Sequence, residues 1–167
     1  MNEELVNLND SGKPASRGHL AHLSSYRDLP IVFFTVTTHN RSKLLNSSAV
    51  HEILGSIWKQ SSHRNGWFVG DYLLMPEHVH LFARPCREAE PMKEWIKMWK
   101  SLSSRLLTKA LMVKPPVWQA DYFDRYLRSG ESYAEKWAYV ERNPVRAGLV
   151  LDPQAWPYRG RIHNLAF

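Results

Sequence analysis

Only one cysteine, Cys86, occurs among the 167 residues, so the chain forms no internal disulfide and builds no thiolate zinc cluster. A reducing compartment fits. No apolar run approaches the roughly 18 residues that a membrane helix requires, and the most apolar short run, Ile31 to Val36, is strand-sized. The opening MNEELVNLND is acidic and lacks the basic start and apolar core of a secretory signal. The expected location is therefore the cytoplasm, with no membrane partner. No internal repeat is present. What the chain does have is apolar material for a core: 44% hydrophobic residues, with seven Trp, seven Tyr and six Phe, which excludes wholesale disorder. The length is that of one domain. Twenty-two Lys and Arg against sixteen Asp and Glu leave a net charge of +6, a balance that favours a polyanionic partner such as nucleic acid.

Residues 1–29 carry Asn, Ser, Gly, Pro and scattered charges without helical or strand period, and read as a flexible arm ahead of a domain spanning 30–167. Ile31 to Thr37 is rich in β-branched and aromatic residues and predicts a first strand. Ser47 or Ser48 is placed to cap a helix with Val50, Ile53, Leu54, Ile57 and Trp58 on one face. Gly66 to Met75 and His78 to Arg84 predict two strands joined by a tight turn at Pro76 and Glu77. Pro91 opens a long helix whose Met92, Trp95, Ile96, Trp99, Leu102 and Leu106 keep a helical period, while Lys93, Lys97 and Lys100 share another face. A loop and fourth strand are expected within Lys114 to Leu127. A last helix runs from Glu131 towards Asn143, where Pro144 and Gly148 signal its end. The order β, α, β, β, α, β, α predicts an α+β fold: a ferredoxin-like, split βαβ antiparallel sheet with an added C-terminal helix. Trp58, Trp95 and Trp99 are expected in the core.

The densest chemical signal is MPEHVHLFARP. Alternate residues of a strand share a face, so His78 and His80 project together while Val79 and Leu81 face the other way. Two imidazoles so placed are a ready pair of metal ligands, or else two polar residues on a solvated sheet face. In WAYVERNPVRAG, Tyr139 and Asn143 stand four apart, the spacing of neighbours on a helix face. An amide oxygen suits a hard divalent cation, and two imidazoles with one oxygen leave positions open for phosphate and water. Tyr139 one turn earlier would then be placed as a nucleophile giving a covalent phosphotyrosine. The competing roles are packing for Tyr139 and helix-end capping for Asn143.

Taken in order, FFTVTTHNR, MPEHVHLF, WKSLSSRL, VWQADYFDRYLR, YVERNPVRAGLV and WPYRG resemble the single-tyrosine HUH transposases, and most closely the REP-associated tyrosine transposases of bacteria, from about Pro30 to Gly160. The resemblance implies that His78 and His80 are metal ligands, that Asn143 is the third, amide-bearing ligand, and that the tyrosine on the C-terminal helix, Tyr139, attacks DNA. It implies Mg²⁺- or Mn²⁺-dependent cleavage of single-stranded DNA, leaving a 5′-phosphotyrosine link and a free 3′-OH that later rejoins strands. The implied substrate is a hairpin of the repetitive extragenic palindromic (REP) type with a tetranucleotide foot. A bacterial, nucleoid-associated protein acting as a monomer is expected, a dimer that exchanges the tyrosine helix being the alternative.

Two features depart from the family: Glu77 stands where relatives often carry Asn, and the arm has no counterpart. Single strands are gripped by positive grooves with aromatic platforms, and the candidate DNA contacts are Arg41, Lys97, Lys100, Arg105, Arg125, Arg142 and Arg146. A non-catalytic hairpin-binding protein derived from a transposase is the second functional reading. A metal-dependent hydrolase of small phosphoesters is the third, and the +6 surface argues against it.

Overall fold

The computed structural model describes residues 29–165; the expected arm therefore lies, but for Leu29, outside the described residues. The elements run β1 (Val32–Thr37), α1 (Ser48–Arg64), β2 (Trp67–Leu74), β3 (His78–Pro85), α2 (Met92–Leu111), β4 (Phe123–Tyr126), α3 (Gly130–Glu141), α4 (Asn143–Arg146) and β5 (Arg159–Arg161). The five strands form one antiparallel sheet in the order β4-β1-β3-β2-β5. This is the expected α+β, split βαβ arrangement, extended by β5 on the edge beside β2.

Strand alternation sorts the core into two layers. Val32, Phe34 and Val36 of β1 and Val79, Leu81 and Ala83 of β3 face α1 and α2, where Trp58, Trp95 and Trp99 are fully buried. Ile31, Phe33 and Phe82 face the opposite side with Leu73, Val140 and Trp156. His78 and His80 share the parity of Phe82, so they belong to this second side, the one covered by α3. Among the helices, Ser47 caps α1 by accepting from Val50 N, and Ser129 caps α3 in a capping box with Ser132.

β2 breaks its own alternation. Val69 pairs with Ala83 and Tyr72 with Leu81, so Gly70 and Asp71 together oppose one residue of β3. This bulge moves Asp71 and Leu73 to the α3 side of the sheet. A Cβ on Gly70 would lie 2.6 Å from Leu165 and 3.2 Å from the Tyr133 hydroxyl, so glycine here permits the close approach of α3. Asp71, only 3% exposed, accepts the Tyr133 hydroxyl proton on Oδ2 and takes a two-pronged contact from Arg161 of β5, Nε at 2.8 Å and Nη2 at 3.0 Å. One carboxylate thus ties α3 and the edge strand to the centre of the sheet.

The last helix, expected to run from Glu131 towards Asn143, stops just short of it, and this corrects the expectation that Tyr139 and Asn143 share one helix face. α3 stops at Glu141, and Asn143 begins the separate α4, because Pro144 has no N–H to give and its ring collides with the preceding turn. Tyr139 and Asn143 are therefore not on one continuous helix face.

Candidate active site

His78 and His80 converge through Nε2, 3.1 Å apart. Each ring is held from behind: His78 Nδ1 is 3.2 Å from Glu77 Oε1, and His80 Nδ1 is 2.9 Å from Thr35 Oγ1 on the paired strand β1. A carboxylate only accepts, so a neutral His78 carries its proton on Nδ1 and presents the Nε2 lone pair. Thr35 is more versatile, because a hydroxyl rotates to donate or accept. With Thr35 donating, His80 carries Nε2–H and gives it to His78; with Thr35 accepting, both Nε2 lone pairs face the same point. The second arrangement fits a cation, in the way that ligating histidines commonly donate their other N–H to an oxygen.

Burial favours the neutral form of both rings. Burial pushes His80 down to about 3, helped by His78, Lys136 and Arg146. Burial also lowers His78, against the pull of Glu77. Glu77 in turn meets Arg41 Nη2 at 3.4 Å. Arg41 and Asn40 both hold positive φ, 52° and 53°, a conformation that costs energy for residues other than glycine and is found at functional sites. The turn is pinned by buried Thr38, whose hydroxyl donates to Glu77 O and Ser42 O, 2.9 Å each. Among the described residues no group of three or more His, Cys, Asp and Glu is placed to hold a metal; a third ligand must come from an amide, the substrate or water.

α3 lies across this face. Tyr133 packs its ring on Phe82, centroids 4.6 Å apart, and Trp137 also meets Phe82. Tyr139, 59% exposed, carries the Arg146 guanidinium over its ring at 4.0 Å. Arg146 Nη2 donates to Tyr139 O at 3.0 Å and to Asn143 Oδ1, so the Tyr139–Asn143 association expected from spacing is made through Arg146. Lys136 Nζ stands 4.6 Å from the Phe33 centroid and 5.5 Å from that of Tyr139, and Phe33 is itself stacked on His80 at 5.4 Å. A groove of about 740 Å³ runs between β4 and α3 past Arg125, Arg128, Ser129, Ser132, Lys136 and Tyr139.

The expected DNA contacts divide by layer. Arg125 pairs in register with Phe33 and lies on the histidine side, as does Arg146; exposed Arg142 joins α3 to α4, and Arg41 stands beside Glu77. Lys97, Lys100 and Arg105 belong to α2, on the other face of the sheet. Lys100 has a structural engagement: its ammonium donates to Gln119 O at 2.6 Å and Ala120 O at 2.8 Å, tying α2 to the segment before β4. Sequence reasoning missed Thr35 and Lys136. Lys136 was within reach, three residues before Tyr139 and so on the same helix face; Thr35 follows only once the β1–β3 register is known.

A family profile described as "Transposase IS200 like" matches residues 30–143. A curated Escherichia coli protein, "REP-associated tyrosine transposase", is 27% identical over 131 residues, covering 75% of this chain and 73% of that relative. Among solved structures, that of a REP-associated tyrosine transposase bound to a REP hairpin superposes with a TM-score of 0.63 at 21% identity, over 80% of this chain and 78% of that one. At that identity the superposition establishes the shared fold. No helix among the described residues is long and apolar enough to cross a membrane.

Proposed function

Because this chain belongs to the IS200-like transposase family, whose profile spans residues 30–143, we propose that it is a single-strand DNA transesterase that cleaves and rejoins strands at REP-type hairpins. The observation that carries the reading is that His78 and His80 converge on the sheet face across which α3 carries Tyr139. The Tyr139 hydroxyl loses its proton and its oxygen forms a bond to phosphorus. The bond from phosphorus to the 3′-oxygen breaks, and that oxygen takes up a proton, giving 5′-phosphotyrosine and a free 3′-OH. One phosphodiester replaces another, so the reverse reaction rejoins strands without ATP.

Mg²⁺ or Mn²⁺, held by the two Nε2 atoms and Asn143, would supply Lewis-acid polarisation of the phosphate. The chain's own residues do the rest. Glu77 holds His78 in orientation and tautomer, and Thr35 holds His80 in orientation while accepting either tautomer. Asn143 Oδ1 is taken by Arg146, so its service as a ligand requires Arg146 to turn from the neutral amide to a different acceptor, and the phosphates of the DNA backbone provide one. Tyr133 and Trp137 seat α3 on Phe82, and in this reading Tyr139 acts on the histidines of its own protomer.

The test is incubation of the protein with labelled single-stranded REP hairpins in Mg²⁺ or EDTA, followed by a denaturing gel. A covalent band that needs both metal and Tyr139, and vanishes in Tyr139→Phe with hairpin affinity retained, is the expected result. Tight binding without an adduct would instead establish a non-catalytic hairpin-binding protein.

A further inference from the structure

We propose that Lys136 is a further catalytic residue, a contact to a non-bridging oxygen of the scissile phosphate at the inner end of the β4–α3 groove. The inference rests on the reading of Tyr139 as nucleophile. Three observations point to it. First, Lys136 stands between the two halves of the site: its ammonium lies over Tyr139 on one side and over Phe33, the ring stacked on His80, on the other. A phosphorus within bonding reach of Tyr139 and facing the histidines has its oxygens in this space.

Second, the charge is uncompensated. Arg146 is engaged with Tyr139 O and Asn143 Oδ1, and Arg41 with Glu77. Lys136 has no hydrogen-bond acceptor and no carboxylate partner among the described residues; it rests on aromatic faces. Burial, and after it the like charge of Arg125, weaken the hold of Lys136 on its proton. An anion is what this arrangement lacks.

Third, the groove leading to Lys136 suits a nucleotide backbone. Arg125, Arg128 and Lys136 line it with Ser132 and Tyr139, three cations against one carboxylate, Glu135. A strand lying there delivers successive phosphates to cations and one of them to the nucleophile. In phosphoryl transfer, negative charge spreads over the equatorial oxygens, and a fixed cation at one of them stabilises the transition state more than the ground state.

The test uses REP hairpin oligonucleotides with a methylphosphonate, which lacks the negative charge, placed singly at each flanking position. On unmodified DNA, Lys136→Met is expected to slow adduct formation by about 10²- to 10³-fold, the usual effect of losing one charge-stabilising donor, with Lys136→Arg recovering most of the loss. On DNA with the methylphosphonate at the cleaved position, wild type and Lys136→Met are expected to react alike. Binding is measured in parallel in the Tyr139→Phe background: one methylphosphonate position should weaken binding when Lys136 is present and have no effect when it is Met. If every position costs the same with and without Lys136, the assignment is overturned. An adduct without this coupling removes Lys136 alone; coupling without any adduct in the wild type removes the Tyr139 chemistry and leaves the phosphate contact standing.

Discussion

Thr35 Oγ1 lies 2.9 Å from His80 Nδ1, reaching across the β1–β3 pair to the back of the imidazole. The hydroxyl can reverse its hydrogen bond, so it accommodates either tautomer of His80, including the one that leaves both Nε2 lone pairs facing the same point. Thr35→Val keeps the shape and removes the oxygen. The expected outcome is a loss of about 10- to 100-fold in Mn²⁺ affinity, the range for oxygens behind a ligating histidine, with Thr35→Ser close to wild type. Titration calorimetry with Mn²⁺ alone measures this; unchanged affinity in Thr35→Val would remove Thr35 from the site.

Tyr133 is the hinge pin of α3. Its hydroxyl bonds the buried carboxylate of Asp71, and burial with that carboxylate beside it pushes the phenol well above its ordinary range, so it stays protonated and donating. Tyr133→Phe should lower the unfolding free energy by about 1.5 kcal/mol, the low end for a bond to a charged group, because Arg161 still serves the carboxylate. Urea denaturation gives the number. Adduct formation should fall further than stability alone explains, since Tyr139 rides on the same helix.

The neutral His80 makes stability depend on pH. Its value is about 3 in the fold against 6.5 in the open chain, so between these limits the unfolded chain binds the extra proton. Stability therefore rises with pH through this window and is lost on acidification below 6.5, at up to about 1.4 kcal/mol per pH unit. Below 3 the dependence on this group ends. Denaturation at pH 7 and pH 5 should show the decline in wild type and a flatter profile in His80→Asn.

Phe123 pairs in register with Thr35, and Thr35 with His80, so the three form one row across the histidine face. Phe123 is 55% exposed, an aromatic surface accessible to a base. Phe123→Ala should weaken binding of a single-stranded flank by about 1–3 kcal/mol, and an abasic residue at the stacked position should abolish the difference. Fluorescence anisotropy against an abasic series would locate that base or dispose of the platform.

Much of this was legible in the chain. Strand alternation alone puts His78 and His80 together, and the element order predicts the sheet. The tryptophan period of α2 reveals its buried side, Trp95 and Trp99 included. Other features depend on pairing between distant segments, which local pattern does not encode. β5 is three residues on an edge, too short to leave a period. The bulge in β2 is hidden because WFVGDYLL is buried on both faces except at Phe68, and its one charged residue, Asp71, is buried too, so no inside-outside alternation reveals the change of side. The lysines of α2 are visible as a stripe, but which face of the sheet that helix covers is a property of the assembled layers. Nothing local shows that Lys100 spends its charge on two carbonyls, or that Pro144 divides the last helix while Arg146 restores the link.

The bulge at Gly70 and Asp71 also limits how this strand can change length. Up to Val69 the odd-numbered side chains face α1 and α2; from Asp71 onward the odd-numbered ones face α3. The extra residue is thus a phase shift written into the strand. Losing one residue there would restore a regular ladder and, in doing so, either turn the carboxylate away from Tyr133 or displace Leu73 and Leu74 from their respective cores. Within β2, length changes that preserve the anchor of α3 must therefore come in pairs.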